Sequence, residues 1–81
     1  MHKSNIEILN ILYTNQCTSE LKSYSIQKIL SQTKYKYSKV HNDLSSLQSA
    51  NLISKGYKSE RADTYYITEL GINKLRELTS N

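Results

Sequence analysis

Residues 35–53 read YKYSKVHNDLSSLQSANLI and continue, over 54–75, as SKGYKSERADTYYITELGINKL. Val40, Leu44 and Leu47 recur at i, i+4 and i+7, the spacing of one buried stripe on an α-helix. Asn51 stands where that helix must end, at the position a left-handed residue occupies; glycine is commonest there and asparagine is its usual substitute. Beyond it the period changes. LISKGYK (52–58) and DTYYIT (63–68) are short and rich in β-branched and aromatic residues, and a polar connection at 59–62 joins them. They predict a hairpin whose register no Asn-Gly turn specifies. Thr68 can then cap a last helix from 69 to about 79, carrying Leu70, Ile72, Leu75 and Leu78.

Working back toward the N-terminus, the helix of the Val40 stripe is expected to start with Thr33 as its cap and to reach Ala50, with Tyr37 packing beside the stripe in the core. A shorter helix over about 25–32 precedes it, with Ile26, Ile29 and Leu30 inward and Ser23 or Ser25 as cap. CTSELKS (17–23) is turn-like, with at most a short extended piece around Leu21. Ser4-Asn5-Ile6-Glu7 matches the S-x-x-E capping box and opens a first helix over about 5–16. On a wheel, Ile6, Leu9 and Tyr13 form one apolar side of it and Ile8, Ile11 and Leu12 another, so it has to be covered twice. The four apolar residues of the last helix also spread over more than half its wheel.

Composition sets the limits. At 81 residues the chain is read as one domain, 1–81, with a single modest core. Apolar residues make up 37% and charged residues 22%, which indicates a globular chain rather than a disordered one. The apolar run IEILNILY (6–13) is interrupted by Glu7 and Asn10 and is too short for a membrane span or a signal sequence, so a soluble cytoplasmic protein with no membrane partner is expected. Cys17 is the single cysteine, which excludes an internal disulfide or a cysteine-based zinc framework, and it is expected to be a half-buried free thiol.

The net charge of +4 is concentrated. Between residues 28 and 61 the cations are Lys28, Lys34, Lys36, Lys39, Lys55, Lys58 and Arg61, opposed only by Asp43 and Glu60. The segments on either side are neutral or slightly acidic.

The order is helix, minor strand, helix, helix, hairpin, helix, a mainly α fold with a small β-hairpin. With Leu44-x-x-Leu47, then Ala50-Asn51-Leu52-Ile53, a charged hairpin, and Tyr65-Tyr66-Ile67-Thr68-x-x-Gly71-x-x-x-Leu75, the chain resembles the winged helix-turn-helix domains of MarR- and PadR-type regulators. The resemblance covers about residues 26–78. Asn51 stands where those families usually carry glycine, and the link before the third helix is longer than theirs.

That resemblance implies binding to double-stranded DNA, with the third helix in the major groove and the hairpin, as a wing, on the backbone or in the minor groove. Setting the Val40 stripe inward turns Tyr35, Ser38, Asn42, Ser45 and Ser49 outward, with Lys39 and Ser46 at the margin. Asn42 can pair bidentately with adenine, Ser38 can bond several base edges, and Lys39 can reach guanine or a phosphate. Lys34, Tyr35 and Lys36 suit phosphates, which position a protein without reading sequence. Lys55, Lys58 and Arg61 bracket the wing tip, and arginine suits narrow minor grooves. A homodimer is expected, built from the surplus apolar surface of the first and last helices at Ile8, Ile11, Leu12, Ile72 and Leu75. No HExxH, glycine-rich phosphate loop, nucleophile-histidine order or paired-carboxylate pocket is present, and His41 beside the core stripe is read as structural; no enzyme, cofactor, metal or small-molecule ligand is expected. The function these readings favour is a minimal dimeric transcriptional repressor. The alternatives are a plasmid- or phage-encoded accessory protein at a partition centromere or conjugation origin, and a winged helix that binds protein.

Overall fold

The computed structural model describes residues 2–80. Its elements are α1 (Lys3–Thr14), β1 (Tyr24–Ser25), α2 (Ile26–Leu30), α3 (Tyr37–Ser49), β2 (Ile53–Lys55), β3 (Thr64–Ile67) and α4 (Glu69–Thr79). The three strands form one antiparallel sheet in the order β1-β3-β2. Ile53 lies opposite Ile67, and Lys55 opposite Tyr65. This is the winged helix-turn-helix order expected from the sequence. No described helix is long and apolar enough to cross a membrane.

The core is Ile8, Leu9, Leu12, Cys17, Ile29, Val40, Leu44, Leu47, Leu52, Ile53, Ile67 and Leu75. α1 is the central element: it packs against α2, α3, α4 and β3. Both of its apolar sides are therefore covered within one chain. That corrects the expected dimer surface, because Ile8, Leu12 and Leu75 are fully buried in the monomer, while Ile11 and Ile72 stay half-exposed. Apolar surface does remain on α4, at Leu70 and Leu78, and at Tyr13 of α1.

Several boundaries move for identifiable reasons. α1 begins two residues before Asn5: His2 is the N-cap, and its N–H donates to Asn5 Oδ1 at 3.2 Å. Ser4, expected as the cap, is buried inside the first turn, with an Oγ that has no partner among the described residues. α1 ends at Thr14 because Gln16 turns left-handed (φ 60°), with Gln16 N–H donating to Tyr13 O and Cys17 N–H to Leu12 O. This is a Schellman end built on glutamine, a residue that carries no sequence signal for it. Asn51 (φ 62°) makes the same motif at the end of α3, as expected, with Asn51 N–H donating to Gln48 O and Leu52 N–H to Leu47 O. Ser25 caps α2, which stops at Leu30, and Thr68 caps α4. The extended piece lies at Tyr24–Ser25 rather than around Leu21, whose side chain is 82% exposed. Cys17 is buried rather than half-buried, and burial pushes its thiol pKa up.

The motif Ile67-Thr68-x-x-Gly71 locks α4 to the end of α3. Thr68 N–H donates to Leu52 O (3.0 Å), Thr68 Oγ1 donates to Asn51 O (2.7 Å), and the same oxygen accepts from Gly71 N–H (3.0 Å). The first turn of α4 is thereby drawn down onto the carbonyl of Leu52.

Candidate nucleic-acid interface

α3 starts three residues later than Thr33 as its cap predicts, with Lys36 at the cap position. The Thr33 hydroxyl accepts from Tyr35 N–H (3.4 Å), a local turn that competes with helix. Tyr35 is half-buried and packs against the core. Partial burial, followed by the Glu7 carboxylate at its hydroxyl, raises its pKa above the ordinary tyrosine value. This residue, expected to reach phosphates, lies beside Glu7 of α1. Lys34 remains exposed in the linker.

Lys36 is the N-cap of α3 and supplies no capping side chain; the first turn holds no acidic residue. The amides of Tyr37, Ser38 and Lys39 consequently have no hydrogen-bond partner among the described residues. Lysines at a helix N-terminus oppose its dipole, so this end is unfavourable alone and suited to an incoming anion. Ser38, Asn42, Ser45, Ser46 and Ser49 are all exposed, as the outer face requires. Two readings on α3 are corrected. Tyr37, expected in the core, is 52% exposed, and His41, read as structural, is exposed; the two rings stack with centroids 5.8 Å apart and planes 21° from parallel. Their i, i+4 spacing is the signal in the sequence, and it is obscured when Tyr37 is placed on the stripe. Asp43 lies on the buried side at 5% exposure, where its Oδ1 is 3.5 Å from Lys39 Nζ and its Oδ2 has no hydrogen-bond partner among the described residues. Lys39 is thereby partly neutralised.

On the wing, Lys55 pairs with Asp63 at 3.2 Å, across the base of the hairpin. Lys58 and Arg61 are exposed beyond it, and neither makes an ion pair among the described residues. The tip is a two-residue turn at Glu60 and Arg61, closed by Ser59 N–H to Ala62 O (3.0 Å) and Ala62 N–H to Ser59 O (2.8 Å). Both turn residues have positive φ, 51° and 70°. That is the primed geometry favoured by hairpins, here without the Asn-Gly pair that adopts it easily. Between α3 and the wing runs an open groove of about 250 Å³, lined by Ile26, Tyr37, His41, Ala62, Asp63 and Tyr65. The uncapped helix end and the cationic hairpin therefore stand on either side of one channel.

No protein-family model matches the sequence. The chain is 33% identical, over 78 residues, to the DNA-binding protein TubR of Clostridium botulinum C phage, a match covering 96% of both chains. Among solved structures, TubR from Bacillus megaterium pBM400 superposes with a TM-score of 0.89 at 17% identity, covering 100% of this chain and 89% of that one. The Staphylococcus aureus MepR-DNA complex gives a TM-score of 0.80 at 20% identity, covering 99% of this chain and 63% of MepR. The last two likenesses concern the fold; the first extends to the sequence along nearly the whole of both chains. This chain is a winged helix-turn-helix protein and belongs to the TubR family.

Proposed function

We propose that this chain binds double-stranded DNA as a homodimer, with the N-terminal face of α3 in the major groove and the wing against the backbone or the minor groove. The observation that carries the reading is the pairing of an uncapped, lysine-flanked α3 N-terminus with a wing tip that holds Arg61 in a left-handed conformation. A non-glycine residue there costs about 1–2 kcal/mol, and two successive ones persist where the side chains serve a purpose. A relative bearing the name of a DNA-binding protein supports it.

Asn42 is the expected base reader. Asn42→Ala should relax base preference at one position of each half-site, at about 1–3 kcal/mol per bidentate contact, with little change in nonspecific affinity. Selection of binding sites from a random pool checks this; an unchanged preference would transfer readout to the wing.

The dimer is expected to use α4 and the exposed part of α1, through Ile11, Tyr13, Leu70, Ile72 and Leu78, and to present two copies of α3 about one DNA turn apart. Light scattering at micromolar concentration should give twice the 9.4 kDa chain mass. A mass near that of one chain would exclude it.

Between a transcriptional repressor and an accessory protein of a mobile replicon, the phage source of the relative favours the accessory role, at a partition centromere. Footprinting on the native replicon, together with deletion of the gene, is the test. Protection away from promoters, with loss of the replicon in unselected culture, is expected. Protection confined to a promoter, with inheritance unchanged, would return the reading to repression.

A further inference from the structure

We propose that the groove between α3 and the wing holds the sugar-phosphate strand that separates the two DNA grooves, and that His41 donates to one of its phosphates as an imidazolium. The proposal rests on the DNA-binding reading above and adds to it one contact and one proton. Adjoining major and minor grooves of B-DNA share a backbone strand, so a protein with a helix in the first and a hairpin in the second has that strand running between them. In this chain the intervening space is the channel lined by Ile26, Tyr37, His41, Ala62, Asp63 and Tyr65.

No lysine or arginine lines the channel, and its one carboxylate, Asp63, is paired with Lys55. A phosphate entering it meets one imidazole and two phenols. The stack on Tyr37 fixes His41 one turn inside the helix, and both rings are open to solvent. Burial, then the charge of Asp63, holds the Tyr65 phenol above its ordinary pKa against the opposing effect of Lys55, so Tyr65 stays a neutral O–H donor. The titratable groups around His41 are Tyr37 on its own helix, Tyr65 and Asp63 on the hairpin, and Lys55 through Asp63; α2 contributes only Ile26. Lys39 on the same helix is engaged by Asp43. Histidine is the side chain that titrates nearest neutrality, and a phosphate anion beside it favours the charged form. DNA binding thus takes up a proton from solvent at His41, and affinity rises as pH falls.

The test is binding of the full chain to a random-sequence duplex at fixed salt, over about pH 5.5 to 8, with calorimetry in two buffers of different ionisation enthalpy. Wild type and His2→Gln, which removes the other histidine, should bind tighter as pH falls from about 8 to about 6, by at most about tenfold per protomer per pH unit, and level off at lower pH where free imidazole is already protonated, with up to about one proton taken up per protomer. His41→Gln, checked for its fold by circular dichroism, should bind more weakly than wild type at acid pH, with a flat profile and no proton uptake. A wild type that binds with no pH dependence, or a His41→Gln variant that keeps it, would overturn the contact and leave DNA binding standing. Absence of binding at every pH would remove both.

Discussion

Gly71→Ala is expected to destabilise the protein by about 3 kcal/mol, against the ordinary rule that alanine in place of a helix-interior glycine stabilises by about 1 kcal/mol. A Cβ at this position would run into the carbonyl oxygen of Leu52 and come within 2.7 Å of Ile67 Cγ1. The carbonyl cannot retreat, because it accepts the Thr68 N–H that docks α4. The clash therefore outweighs the gain in helix propensity. A domain of this size has a total stability of about 4–12 kcal/mol, so thermal unfolding should drop by about 10–20 °C. Glycine is irreplaceable here for its lack of a side chain, since its φ is not in the left-handed region. A midpoint unchanged by the substitution would mean that α4 is not seated against Leu52.

Replacing Lys58 and Arg61 together by alanine should weaken DNA binding by on the order of a thousandfold at about 0.1 M salt and leave the fold intact. Each cation that neutralises a phosphate adds about 0.9 to the slope of log K against log salt. Lys34, Lys36, Lys58 and Arg61 are exposed, and none forms an ion pair among the described residues, whereas Lys39 and Lys55 face Asp43 and Asp63. A dimer using three or four cations per chain should show a slope of about −5 to −7, and the double variant should flatten it by about two to four units. Arg61→Gly is a useful companion, because it removes the charge while relieving the positive φ at the turn. Titrations at several salt concentrations are decisive: a folded double variant with an undiminished slope would mean that the hairpin does not lie on DNA.

Elements with a strong local signal are legible in the chain itself. The α3 stripe, the Asn51 stop, the Thr68 cap and the change of period into the hairpin each rest on interactions within a few residues, so the sequence carries them directly. The exposed serines and Asn42 follow from the stripe by helical geometry alone. The start of α3 is not legible, because Thr33 resembles a cap and only the anchoring of Tyr35 beside α1 shows that the chain must first turn back to the core. The glutamine-built end of α1 is equally hidden: Gln16 adopts its left-handed φ where Ile67 N–H meets Cys17 O at 2.8 Å, a contact between segments far apart in the chain.

The candidate site divides along the same line. The sequence alone carries the order of helices and hairpin and the central concentration of positive charge, because period, caps and charge distribution are local properties that need no partner to be read. The winged helix-turn-helix reading comes with the resemblance of its motifs to MarR- and PadR-type domains. Which cations stay unpaired, and which apolar residues remain exposed, was settled only by tertiary structure. Lys39 and Lys55 are drawn to carboxylates, Tyr37 and His41 are turned outward into the channel, and Ile8, Leu12 and Leu75 are enclosed by the elements around α1. Burial and ion pairing depend on what arrives from elsewhere in the chain, and the amphipathic pattern of one helix states only that a face must be covered, not which element covers it.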